Sequence, residues 1–164
     1  MTVVLGVDLG VSGAVLVLLE VGELVTSFDV PTLNDGPKGR RTVNGPLLAQ
    51  LIAETHITRA YIEAVGPRPH EGSVQSFAFG RAKGLTEGTC AGLGVSITWI
   101  APAVWKRAVN IPPGPNKDLA RSEAIRRWPA RAELFTRKRD HNRAESALIA
   151  LAGIKRERGN RAEK

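Results

Sequence analysis

The sequence predicts an α/β domain built on a mixed β-sheet with flanking helices. Three features carry that prediction. Apolar runs rich in β-branched residues, Thr2-Val3-Val4-Leu5, Val15-Leu16-Val17-Leu18-Leu19 and the stretch 23–30, are joined by Gly-containing turns and read as an antiparallel meander. A helix from about Asn44 to Thr55 precedes another strand at 58–65, which a right-handed crossover lays parallel to one already placed. A long helix from Ser73 to about Leu93 precedes a fifth strand at 95–100.

The 164 residues suffice for one domain with a sizeable core, assigned to 1–155, followed by a basic C-terminal tail at 156–164. Hydrophobic residues make up 43% and charged residues 24%, a globular rather than a disordered balance. One cysteine, Cys90, excludes an intrachain disulfide and a cysteine-based zinc site, and suits a reducing setting. The chain enters its first strand without a basic leader, so no signal peptide is expected. No apolar run approaches the roughly 20 residues that span a membrane, so no membrane partner is expected. The expected location is the cytoplasm.

The net charge of +7 is unevenly spread. Residues 1–116 carry nine Lys/Arg and nine Asp/Glu, whereas residues 117–164 carry fourteen Lys/Arg against seven Asp/Glu. All of the excess lies in the last third. With no apolar amphipathic anchor beside it, such a block points to nucleic acid before membrane.

In chain order, the first strand runs into Gly6-Val7-Asp8-Leu9-Gly10-Val11-Ser12-Gly13-Ala14. Asp8 ends an apolar strand, where a carboxylate costs free energy unless it is paired, caps the turn or holds a cation. Gly10 and Gly13 leave room for a phosphate or metal. Residues 31–43 read as an exposed loop. Asn44 is the expected N-cap of the first helix, with Pro46 in its first turn and Leu47, Leu48, Leu51 and Ile52 as its apolar stripe. Glu63 closes the next strand. Placed beside the first strand, it puts two carboxylates at the carboxyl ends of neighbouring parallel strands, where α/β sheets place ligands. Two such groups repel unless they share a proton or a cation.

Residues 66–72 form a stiff loop. In the long helix, Gly80, Gly84, Gly88 and Gly92 recur every four residues, each costing about 1 kcal/mol against Ala. The stripe implies close approach of another backbone, either the chain's own sheet or the same helix of a second subunit. A helical turn follows at 102–107, then a Pro-rich loop, a helix opening at Lys117-Asp118, a basic connection over 130–142, and a last helix from about Arg143 to Lys155. Asp140 and Glu145 stand at its start among Arg and Lys. With Asp8 and Glu63 they make four carboxylates, the oxygen ligands that hard divalent cations take.

The ordered set Gly6-Val7-Asp8-Leu9-Gly10, Tyr61-Ile62-Glu63, Ala101-Pro102-Ala103-Val104-Trp105-Lys106, Asn116-Lys117-Asp118 and Asp140-His141-Asn142-Arg143-Ala144-Glu145-Ser146-Ala147-Leu148 resembles the RuvC family of Holliday junction resolvases, its short bacteriophage members above all. The resemblance runs from residue 3 to about 153. It implies an RNase H-like fold with a five-stranded mixed sheet. It further implies a homodimer that cuts a four-way DNA junction symmetrically, with two Mg2+ ions for which Mn2+ can substitute. Asp8, Glu63 and Glu145 match the family's metal-binding carboxylates. The family usually has an acidic residue or histidine three positions before the last one; here that position is Asn142. Asp140 and His141 are the nearby candidates for the fourth ligand, with Asp140 favoured because a carboxylate suits Mg2+ better than imidazole. Leu9 stands where a proline is usual.

The reaction implied is metal-assisted phosphodiester hydrolysis. Lys106 and Lys117 match basic positions expected near the scissile phosphate, with Arg137, Lys138, Arg139 and Arg143 on phosphates further out. Trp105 is expected in the core, and the 66–72 loop at the junction centre. Two other readings remain open: a flap, branched-DNA or less specific nuclease on the same fold, and a junction binder without catalysis. An actin-like ATPase needs two such domains, for which 164 residues leave no room.

Overall fold

Strand β1 (Val3–Asp8) is the centre of a five-stranded sheet. It pairs antiparallel with β2 (Ala14–Leu19), which pairs antiparallel with β3 (Leu24–Asp29). On its other side β1 pairs parallel with β6 (Arg59–Glu63), and β6 with β7 (Ser96–Ile100), giving the order β3-β2-β1-β6-β7. The computed structural model describes residues 3–19, 21–67 and 69–162. Thr2 of the first strand, Arg68 of the 66–72 loop and residues 163–164 of the expected tail lie outside them. The meander and the parallel crossover into β6 are as the sequence predicts, and β7 adds a second parallel pairing.

The strand period sorts the core into two layers. Val4 and Tyr61 face α3 (Pro102–Ala108), α4 (Asp118–Arg127) and α5 (His141–Ala162), whose Ala144, Ala147, Leu148 and Ile149 are buried there. Leu5, Val7, Ala60 and Ile62 face the opposite layer, α1 (Gly45–Ala53) and α2 (Ser73–Gly92), which supply Leu48, Ile52, Ala82 and Cys90. Helix α5 lies directly on β1: a Cβ at Gly6 would overlap the Ser146 carbonyl, so only glycine lets the helix sit this close. Asn44 caps α1 as expected, its Oδ1 accepting from the Leu47 N–H at 3.2 Å.

Two expectations need correction, and one of the two alternatives for the Gly stripe is removed. Residues 31–43 are not only loop: β4 (Thr32–Asn34) and β5 (Arg41–Val43) pair antiparallel around a turn at 36–39, and Thr42 and Val43 are buried. The last helix does not stop near Lys155 but runs on to Ala162, where Glu157 forms an ion pair with Arg59 of β6. The Gly stripe of α2 does not pack on the sheet. Gly80, Gly84, Gly88 and Gly92 are exposed, and a Cβ at any of them would meet nothing within 4 Å. Thr86 and Cys90 hold the opposite side of that helix against the core.

Candidate active site

Asp8, Glu63 and Glu145 reach one cavity of about 470 Å³. They arrive from the carboxyl ends of β1 and β6 and from the second turn of α5. Pairing of Val7 with Ile62 puts the first two on adjacent strand ends, which meets the condition under which the sequence brings them together. Lys106 of α3, Lys117 just ahead of α4, and Asn142 complete the polar wall. Below them lie Trp105, Ile111 and Ala120.

The three carboxylates act on one another. Asp8 is pushed well above the usual carboxylate range, first by burial and then by the charges of Glu145 and Glu63, with Lys117 opposing. Glu145 is also raised, by burial and by Glu63, while Lys117 and Lys106, and His141 in its protonated form, pull it down. Glu63 has a fixed partner: its Oε1 accepts from the Trp105 indole N–H at 2.7 Å. Trp105 is buried as expected, but its ring also orients a carboxylate.

A serine that sequence reasoning passed over ties these stations together. The Ser146 hydroxyl is fully buried and accepts from the Asp8 backbone N–H at 3.0 Å. Its own hydrogen faces two carbonyls, Ala14 at 2.7 Å and Asn142 at 2.9 Å. The end of β1, the start of β2 and the first turns of α5 are thus joined at one atom. The signal was a lone hydroxyl in an otherwise apolar stripe, next to Glu145. Asn142 serves the same junction, its Nδ2 donating to the Ser12 carbonyl in the β1–β2 turn.

Asp140 is not brought to this cavity, against the expectation that it holds metal. Its side chain is 2% exposed and both oxygens are taken by Arg137: the Arg137 backbone N–H donates at 2.8 Å, and the guanidinium at 2.8–3.1 Å. Burial works to raise its pKa, but these bonds win and hold it below the usual range. Its role is to cap the 3₁₀ turn Lys138–Asp140 that leads into α5. His141, the alternative, stands at the first position of α5 with Nε2 3.1 Å from Lys117 Nζ.

The basic residues divide in the same way. Arg143 is held by Asp29 through two bonds of 2.7 and 2.8 Å, and Arg137 by Asp140. Lys138 and Arg139 are exposed and, with Lys117 and His141, line a shallow depression beside the cavity. The 66–72 loop is exposed at most of its described positions.

The donor set suits a hard divalent cation: carboxylate oxygens, half-buried, repelling one another and flanked by a Trp-anchored Glu63. Among the described residues no three His, Cys, Asp or Glu side chains converge on a single point.

No protein-family model matches the sequence, and no curated protein matches it significantly. Solved structures do match. The chain is similar to Thermus thermophilus RuvC described as "in complex with Holliday junction substrate", with TM-score 0.70 and 17% identity over 97% of each chain. It is also similar to a second Thermus thermophilus RuvC structure, with TM-score 0.60 and 16% identity over 96% of this chain and 97% of that one. The fold is therefore that of these RuvC structures, RNase H-like, as the sequence resemblance implies. No described helix is long and apolar enough to cross a membrane.

Proposed function

We propose that this protein is a divalent-metal-dependent endonuclease that resolves four-way DNA junctions as a homodimer. One observation carries the reading: Asp8, Glu63 and Glu145 line a single cavity walled by Lys106 and Lys117. Mutually repelling carboxylates beside lysines suit a site that holds cations and receives a phosphodiester. The likeness to a RuvC structure described with a Holliday junction substrate supports the choice of DNA.

Asp8, Glu63 and Glu145 would hold Mg2+ or Mn2+. When bound, such ions lower the pKa of water and take up charge on the phosphate. Trp105 keeps Glu63 aimed into the cavity, and Ser146 and Asn142 fix the β1–β2 turn that carries Asp8. Lys106 and Lys117 would meet the scissile or adjacent phosphates. Lys138 and Arg139, free of the pairing that occupies Arg137 and Arg143, would take phosphates further along, so binding should weaken steeply with salt.

For the homodimer the support is the open face of α2. The glycine stripe, with Phe77 at 74% and Val74 at 61% exposure toward its N-terminal end, is where a second copy could bring its own helix close.

The test is cleavage of a labelled synthetic four-way junction beside matched duplex, flap and RNA/DNA hybrid, with Mg2+ and with EDTA. Paired symmetric nicks in the junction alone, absent with EDTA and in Asp8→Asn, are expected. Equal cutting of flap or hybrid would replace the junction resolvase by a less specific nuclease of the same fold. Tight junction binding without cutting would leave a binding module.

A further inference from the structure

His141 stands four residues before Glu145, and both of its ring nitrogens are engaged. Nδ1 lies 3.1 Å from the Lys138 carbonyl oxygen, and Nε2 lies 3.1 Å from Lys117 Nζ. A carbonyl oxygen only accepts, and an ammonium only donates. The ring hydrogen therefore sits on Nδ1, and the Nε2 lone pair accepts from Lys117. A neutral ring in that state has no lone pair left for a cation unless it releases the lysine.

Lys117 is an exposed residue following a Pro-rich loop, Pro112-Pro113-Gly114-Pro115-Asn116, and it lines the carboxylate cavity. Its charge is felt at both Asp8 and Glu145. A long lysine side chain there would wander among rotamers without an anchor. The imidazole supplies one and leaves two N–H groups for other partners.

We propose that His141 is a positioning residue: its Nδ1–H tautomer, set by the Lys138 carbonyl, holds the Lys117 ammonium at the cavity rim, so that the remaining N–H groups meet the phosphate being cut. The role in cleavage rests on the nuclease reading above; the tautomer and its contact do not. The arrangement also links α4 to α5 across the mouth of the site, because Lys117 precedes one helix and His141 opens the other.

Two measurements test it. The first is long-range ¹⁵N–¹H NMR of ¹⁵N-histidine-labelled protein in EDTA and in Mg2+, with His141 assigned by its loss in His141→Gln. The expected pattern is a neutral Nδ1–H ring whose Nε2 resonance moves in Lys117→Ala and stays put on adding Mg2+. An Nε2–H ring, an Nε2 resonance indifferent to Lys117→Ala, or one that shifts to a coordinated position with Mg2+ would overturn the proposal. The second is a kinetic cycle on the junction. His141→Ala should lower kcat about 10-fold, the scale of one hydrogen bond to a charged group, with little change in KM. His141→Gln, whose amide oxygen can accept from Lys117, should recover most of that loss. The double variant with Lys117→Ala should be no slower than Lys117→Ala alone. Independent, multiplying losses would overturn the assignment. A wild type that cuts no DNA would remove the nuclease reading, while the NMR result would still decide whether His141 holds Lys117.

Discussion

Replacing Ser146 by alanine should cost about 2–3 kcal/mol of folding stability although it removes a single oxygen. The hydroxyl is the acceptor for the Asp8 N–H at 3.0 Å and donates to Ala14 at 2.7 Å or Asn142 at 2.9 Å. Leaving the Asp8 N–H without an acceptor under α5 costs about 1–2 kcal/mol, and the lost donation adds about 1 kcal/mol. Relief is hard to find, because Gly6 and the Ser146 backbone are already in close contact and the helix cannot move closer to close the gap. The assay is urea unfolding of Ser146→Ala and, as a control, of Ser96→Ala on the exposed start of β7, expected within about 0.5 kcal/mol of wild type. The midpoint should fall in Ser146→Ala with the slope unchanged. Junction cleavage by the folded variant should fall as well, since the backbone of Asp8 loses its tie to the helix bearing Glu145. A stability change under about 0.5 kcal/mol would refute the claim that this hydroxyl joins β1, β2 and α5.

Other expectations follow from single contacts. Gly153→Ala would drive a methyl into the Tyr61 ring, which is 1% exposed, and should destabilise by about 3 kcal/mol, read as a drop in unfolding midpoint. Cys90 is fully buried, and burial lifts its thiol to about 11, so an aromatic disulfide reagent should leave the native protein untouched and titrate the thiol only in denaturant. Glu123 is held below its usual pKa by the Arg126 hydrogen bond, and also by Arg127, against its own burial. A lowered folded value means stability that is present above the unfolded pKa of about 4.3 and lost as pH falls through the folded one. Glu123→Gln should therefore be about 0.5–1 kcal/mol less stable than wild type near neutrality, a gap that closes in acid, measured by denaturant unfolding across that range.

The parts of the fold set by local rules were readable. Strand period and the crossover rule put Glu63 at the carboxyl end of a parallel strand, whose pairing with β1 sets it beside Asp8, and a short polar residue before Pro46 marked the cap of α1. What escaped was decided by contacts distant in sequence or by one near competitor. The pairing of β4 with β5 involves three residues a side in a stretch of Pro, Gly and charge, and only the burial of Thr42 and Val43 explains it. The end of α5 is polar all round, yet Glu157 reaches Arg59 on a strand 98 residues away. Asp140 looked like a ligand because it is an acid close to Glu145. Arg137, three residues earlier, satisfies both of its oxygens, and α5 begins only after it. Composition offered four carboxylates; helix phase and one arginine leave three in the cavity.

Those three should make the site a cost to the fold until a cation arrives. Asp8 has its folded pKa raised by burial and by Glu145 and Glu63. An acid with a raised folded pKa favours folding below its unfolded value, about 3.9, and loses that contribution as pH climbs through the folded one. At neutral pH without metal, the charged cluster therefore opposes folding. Asp8→Asn removes one repelling charge at constant shape, so in EDTA it should melt above wild type while cutting nothing. Adding Mg2+ should raise the wild-type melting temperature in a concentration-dependent way, because an ion that binds only the folded chain stabilises it by mass action. In Asp8→Asn that rise should largely vanish. Differential scanning calorimetry of both proteins, with EDTA and over a Mg2+ series, gives all four curves. An Asp8→Asn variant less stable than wild type in EDTA would mean that Asp8 contributes as a structural cap of the β1–β2 turn. An equal Mg2+ response in both proteins would place the cation elsewhere.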